Sequence, residues 1–257
     1  GEALAAAEAL RTADPGFAPT LRTLGDVLRD LGRHDEALAA HRRAQALEPG
    51  EALAFQGQAS VLRRMGRHDE AITAARAALA LRPALPWARI HLAQALKETG
   101  ADAEALAELQ AAAAQYPDEP GVHTSLADEQ RRRGRWDLAR RALDAAPPHA
   151  AGSPDLLRAR GWLALTCDQL PEALACFDAA VAAAPHDPSH QHGRADALRR
   201  LGRHAAALEV CQALCQQRPW EADAWRRRAQ AEWDAGRFDD AFASVRTAVA
   251  LAPADPW

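Results

Sequence analysis

The residues able to do chemistry in this 257-residue chain fall into three small groups. His186, His190 and His192 bracket Asp187 and form the densest set of metal-capable side chains. Their spacing runs from a loop into the start of a helical pattern and matches no zinc arrangement, in which ligands must converge tetrahedrally. No metal site and no cofactor is expected. Cys211 and Cys215 stand four apart on a helix whose core face already includes both, so they read as a buried pair of small apolar groups. The glycines are isolated, leaving no run of successive amides to cradle a phosphate, and no nucleophile stands in a known motif beside a base. No catalytic residue is assigned, and the chain is expected not to be an enzyme. The third group is cationic. Arginines recur throughout, and a guanidinium fork receives a carboxylate or phosphate through two parallel hydrogen bonds.

Composition limits the partners that those cations can serve. Lysine plus arginine number 31 against 35 acids, and the formal charge of -4 gives no general attraction to nucleic acid or to an anionic membrane. Lys97 is the single lysine and asparagine is absent, a bias that reads as a GC-rich, bacterial-looking coding genome. No apolar run approaches the roughly 20 residues needed to cross a bilayer, so no membrane insertion is expected. Four cysteines in a chain with a helical core fit a reducing compartment, and a cytoplasmic location is the expectation. Abundant alanine, few aromatics and no β-branched runs favour helices over strands.

What must position the cations is a 34-residue period. Gly32, Gly66, Gly100, Gly134, Gly202 and Gly236 share one lattice, with Asp168 in the remaining slot. Five residues after each slot stands an alanine: Ala37, Ala71, Ala105, Ala139, Ala173, Ala207 and Ala241. Twelve residues further on comes Pro49, Pro83, Pro117, Pro185, Pro219 or Pro253, with Ala151 the one departure. A left-handed turn after a first helix is cheapest for glycine, small residues let two helices approach, and proline cannot continue a second helix.

These residues resemble the tetratricopeptide repeat family, most cleanly over 18–51 with Leu21, Leu24, Gly25, Leu28, Gly32, Ala37, Ala44 and Pro49. The resemblance implies an all-α fold in which two antiparallel helices form each repeat and repeats stack into a right-handed α-α superhelix. Seven repeats are expected, at 18–51, 52–85, 86–119, 120–153, 154–187, 188–221 and 222–255. Residues 1–17 read as the second helix of a truncated repeat, with Ala3 and Pro15 in phase, and Pro256 with Trp257 as the start of a further one. Pro147 and Pro148 arrive early and predict a short second helix in the fourth repeat. Arg194 and Arg228 replace apolar residues, with Glu232 placed to pair with Arg228, and predict looser packing in the last two repeats.

By the same resemblance, the exposed concave positions are carried by the first helix of each repeat. They hold Arg22, Arg29, Arg63, Arg64, Lys97, Arg131, Arg132, Arg158, Arg199, Arg200, Arg226 and Arg227, twelve cations against eight carboxylates. The remainder of the chain is net negative. The expected partner is a protein or peptide, in particular an acidic extended segment, and not nucleic acid. Trp87, Trp162 and Trp233 fall on the same positions and are candidate anchors, whereas Trp136 and Trp225 fall on packing positions. The partner-binding set is therefore Arg22, Arg29, Arg63, Arg64, Trp87, Lys97, Arg131, Trp162, Arg199, Arg226 and Trp233. Many of these cations also sit in the last turn of a helix, where they offset its dipole without any partner. Without asparagine, neither the lysine and asparagine clamp nor the asparagine ladder known in the family can form. Two roles follow: a scaffold binding a partner in the groove, or the recruiting or oligomerising arm of a larger glycosyltransferase or sulfotransferase. Self-association through exposed repeat ends is a further expectation.

Overall fold

The computed structural model describes residues 5, 9, 12, 16–185 and 187–252. The expectations that rest on Ala3, Pro15, His186, Pro253, Pro256 and Trp257 lie outside the described residues. Among the described residues the chain is all-α and contains no strand. Thirteen-residue first helices alternate with fourteen-residue second helices: α1 Ala18–Asp30, α2 His34–Leu47, α3 Ala52–Arg64, α4 His68–Leu81, α5 Pro86–Glu98, α6 Asp102–Gln115 and α7 Pro120–Arg132. The order continues with α8 Trp136–Asp144, α9 Pro154–Thr166, α10 Leu170–Ala183, α11 Pro188–Arg200, α12 His204–Gln217, α13 Ala222–Asp234 and α14 Phe238–Leu251. The chain divides into two compact halves, Gly1–Leu126 and Ala127–Trp257. Within each half consecutive helices pack side by side, and each first helix also touches the first helix of the next pair.

Local chemistry explains the boundaries. Gly66 has φ +74°, and its amide and that of Arg67 donate to the carbonyls of Arg63 at 3.1 Å and Leu62 at 2.9 Å. These two bonds close the last turn of α3 as a Schellman motif. Asp168 adopts the same left-handed conformation at φ 60°, one of the few that an aspartate tolerates, and α9 ends by the same pair of bonds. Before each described repeat proline the backbone leaves the helical region, as at Arg82 (φ -141°, ψ 94°), because the ring of Pro83 clashes with a helical predecessor. The early prolines shorten α8 to nine residues, and a 3-10 turn at Pro148–Ala150 fills the gap before α9.

The core is built on alanine, with Ala37, Ala71, Ala139, Ala173 and Ala207 at zero exposure. Two larger side chains interrupt it by one device. His41 of α2 and Phe177 of α10 are wholly buried, each facing a glycine on the first helix of its own pair and another on the next first helix. A Cβ on Gly25 would come within 2.6 Å of the His41 ring and one on Gly161 within 2.9 Å of Phe177; one on Gly57 or Gly193 would overlap those rings outright. Where alanine replaces the first of these glycines, at Ala59, Ala93, Ala127 and Ala195, the facing residue is Ala75, Leu109, Leu143 or Cys211. The expected pairing of Arg228 with Glu232 is present. Arg228 Nε donates to the fully buried Glu232 at 2.8 Å, and Ser244 Oγ donates to the other carboxylate oxygen at 2.6 Å.

Candidate partner-binding surface

The 34-residue period brings Arg29, Arg63, Lys97, Arg131 and Arg199 to one structural place. Each is the residue whose carbonyl accepts the amide of the turn glycine, and each lies in the last turn of a first helix. Cations there meet the negative end of the helix dipole, so their recurrence has a structural reason in each of these five repeats; Leu165 and Trp233 take the same place in the other two. Whether any of them can serve a partner depends on which carboxylates already hold it.

In the N-terminal half most are held. Arg22 of α1 reaches Glu51 at 3.3 Å, and Glu51 also accepts the Leu53 amide as the cap of α3. Arg29 bonds Asp26 at 2.9 Å and Asp30 at 3.0 Å, and Lys97 bonds Glu98 at 2.7 Å. Arg63 and Arg64 differ. Neither has a carboxylate within ion-pair distance among the described residues; the Nε of Arg63 is buried without a hydrogen-bond acceptor, a feature it shares with Arg131, Arg199 and Arg226. Burial, then the charge of Arg64, pushes the Arg63 guanidinium below its ordinary pKa; Glu98 opposes this and Arg29 adds to it.

Beside them lies His91 of α5. Burial first, and then the charges of Arg63, Arg29 and Arg64, push its imidazole down to about 3, with the neighbouring Gln94 side chain opposing. It is neutral at physiological pH, and its Nδ1 is buried without a partner. Trp87, one turn earlier on α5, stands 6.3 Å from that imidazole and is 42% exposed. The far edge of its indole rests over Gly121, where a Cβ would come within 2.8 Å. Two unpaired guanidiniums, a neutral imidazole and a seated, half-exposed indole thus form one continuous patch.

In the C-terminal half the assigned cations are engaged. Arg131 lies 3.7 Å from Asp128, Arg199 bonds Asp234 at 2.9 Å, and Arg226 lies 3.4 Å from Asp223. Trp162 is half-buried, packs edge-on against Phe177 at 5.3 Å and lies under the Arg227 guanidinium at 5.9 Å, so its neighbours already occupy it. Trp233 is 54% exposed and joins Phe238 at 4.9 Å and Phe242 at 6.3 Å, both edge-to-face, beside a cleft of about 750 Å³. Trp225 packs as expected, donating to the Pro219 carbonyl at 3.0 Å under the Arg228 guanidinium. Trp136 does not. It is 48% exposed as the first residue of α8, the place that other repeats fill with His34, His68, Asp102, Leu170, His204 and Phe238.

The remaining chemistry-bearing side chains do not converge. His190 lies 3.7 Å from Asp187, whereas His192 faces Glu221 and Asp223, each at 3.6 Å. No group of three such side chains among the described residues is arranged to hold a metal ion. Burial pushes the Cys211 thiol up to about 12 and the Cys215 thiol up to about 11, which keeps both protonated and unreactive. No helix among the described residues is long and apolar enough to cross a membrane.

Which cations stay unpaired could not be read along the sequence, since the carboxylates involved come from as far as 35 residues away. His91 gave no sequence signal, because its neutrality depends first on burial and then on cations from α1 and α3.

Comparison with known proteins agrees with this architecture. Family profiles described as tetratricopeptide repeat match residues 16–84 and 62–129, and a third matches 124–188, 158–220 and 216–256 in succession. No curated protein matches the chain. Among solved structures, that of the APC/C hetero-tetramer Cut9-Hcn1 is similar with a TM-score of 0.74 at 16% identity, over 98% of this chain and 50% of that one. This chain thus spans about half the length of that relative. A thermophilic TPR protein in Thermus thermophilus is similar with a TM-score of 0.63 at 25% identity, over 70% of this chain and 98% of its own. A tetratricopeptide repeat protein from Parabacteroides merdae is similar with a TM-score of 0.63 at 16% identity, over 91% and 93%.

Proposed function

Since the chain belongs to the tetratricopeptide repeat family, whose repeats generally serve as protein–protein interaction modules, we propose that its N-terminal half holds an acidic segment of a partner protein through Arg63, Arg64 and Trp87. The observation that carries this reading is the contrast in pairing. Arg22, Arg29, Lys97, Arg131, Arg199 and Arg226 all lie within ion-pair distance of a carboxylate, whereas among the described residues Arg63 and Arg64 have none at that distance. A cation already satisfied at home must break one bond to make another, so it contributes little net affinity. An unpaired guanidinium gives up water but no protein partner when a carboxylate arrives, and charge-assisted bonds are stronger than neutral ones. Trp87 adds an apolar surface that is seated in advance, which lowers the entropy lost on binding. Arg29 and Lys97, each neutralised locally, shape the edge of the patch.

The reading is tested with a fluorescein-labelled glutamate-rich peptide carrying one phenylalanine, followed by anisotropy. Replacing Arg63 and Arg64 together by glutamate is expected to weaken binding by at least about tenfold, as loss of a charge-assisted bond implies. Replacing Arg199, which Asp234 already holds, is expected to change affinity less than about twofold. Far-ultraviolet circular dichroism reports that both variants keep their helices. Equal losses from the two variants, or none from the first, would refute the reading.

A further inference from the structure

The geometry points to a more specific ligand for this patch: we infer that Arg63 and Arg64 receive a doubly charged phosphomonoester on a peptide side chain in preference to a carboxylate. The inference rests on the partner-binding reading above and adds the chemical identity of the anion.

Three features of the site favour a dianion. First, both vacant cations are guanidiniums on consecutive residues at the end of α3, and neither planar fork is used by a carboxylate among the described residues. A carboxylate has two oxygens and one charge, enough to fill one fork; a phosphomonoester has three terminal oxygens and close to two charges, enough to serve both. Second, the nearest carboxylates are already engaged. Glu98 is held by Lys97, and Asp26 and Asp30 by Arg29, and none of them lies within ion-pair distance of Arg63 or Arg64. The charge of both cations is therefore left for one incoming anion, and a dianion matches it. Third, the buried Nε of Arg63 and the buried Nδ1 of His91 both lack partners, so polar atoms remain to be satisfied inside the patch. An anion with more acceptor oxygens satisfies more of them.

The free source of the same chemistry, inorganic phosphate, is set apart by Trp87. Its indole flanks His91 and is held over Gly121, which gives a peptide an apolar surface next to the charged group that free phosphate cannot use.

Nuclear magnetic resonance of the full chain labelled with nitrogen-15 tests this at the residue itself. The Arg63 Nε–H resonance, identified by its loss in Arg63→Gln, is followed during titration with N-acetyl-phosphoserine amide, N-acetyl-glutamate amide, inorganic phosphate and dimethyl phosphate. The phosphoserine compound is expected to shift the Arg63 Nε–H and Trp87 Nε1–H signals and to saturate at about tenfold lower concentration than the glutamate compound. In Arg63→Gln with Arg64→Gln the Trp87 shift is expected to disappear, while the rest of the spectrum reports an intact fold. Equal saturation by the glutamate compound would overturn the phosphomonoester and leave the acidic-segment reading standing. Absence of any shift would overturn both. Inorganic phosphate binding as tightly as phosphoserine would overturn the peptide as its source, and dimethyl phosphate doing so would overturn the dianion and point to a nucleic-acid backbone.

Discussion

Replacing His41 by phenylalanine should remove a defined part of the acid sensitivity of this chain. His41 is wholly buried between Gly25 and Gly57, and neither ring nitrogen has a hydrogen-bond partner. Burial, then the charges of Arg29 and Arg22, hold its imidazole down at about 4; the carboxylate facing it, Asp26, is 3.8 Å from Nε2. A base whose folded pKa lies below its unfolded value of 6.5 takes up a proton more readily when unfolded. Stability is therefore complete above the unfolded pKa, falls as pH drops through 6.5, and has lost its full share once pH is below the folded value. The separation corresponds to a loss of about 2 kcal/mol by pH 5 and on the order of 3 kcal/mol below pH 4. Phenylalanine cannot titrate, and Phe177 between Gly161 and Gly193 shows that the notch accepts such a ring. Urea unfolding followed by circular dichroism at pH 7.5, 6 and 5 reads the difference between wild type and variant. His91 and His192, both also pushed below 6.5, titrate in the same direction but remain in both proteins and cancel. The variant is expected to match or exceed wild type at pH 7.5 and to gain about 2 kcal/mol on it by pH 5. Parallel pH profiles would show that the buried imidazole carries no such penalty and would refute the reasoning.

Two further perturbations probe the packing by the same physics. Gly193→Ala should destabilise the C-terminal half by about 1–3 kcal/mol, since its Cβ would overlap the Phe177 ring, and Phe177→Leu in the same chain should recover part of that loss in thermal unfolding. Glu232→Ala should cost about 3 kcal/mol by urea unfolding, because it strands the Arg228 guanidinium and the buried Ser244 hydroxyl, while Arg228→Leu with Glu232→Leu should be close to neutral.

Much of the fold was legible in the amino-acid order because its boundaries are set by short-range sterics. A left-handed turn residue, a small residue five places on and a proline twelve later act within one helical turn of themselves, so they work wherever they fall. The lattice also placed Arg29, Arg63, Lys97, Arg131 and Arg199 correctly at the ends of first helices. It could not rank them, since all five share the same helix-dipole environment.

That ranking was decided by tertiary structure. Asp234 neutralises Arg199 and Glu51 holds Arg22, and each of those carboxylates belongs to the next helix pair, whose approach brings the charges together. Among the described residues the same approach leaves Arg63 and Arg64 without a carboxylate partner, places His91 near them and sets Trp87 against His91. It also seats His41 and Phe177 between glycines that are far apart in the sequence. Helix ends obey forces that act over a few bonds, whereas a side chain's charge, burial and freedom to bind are properties of whatever folds against it.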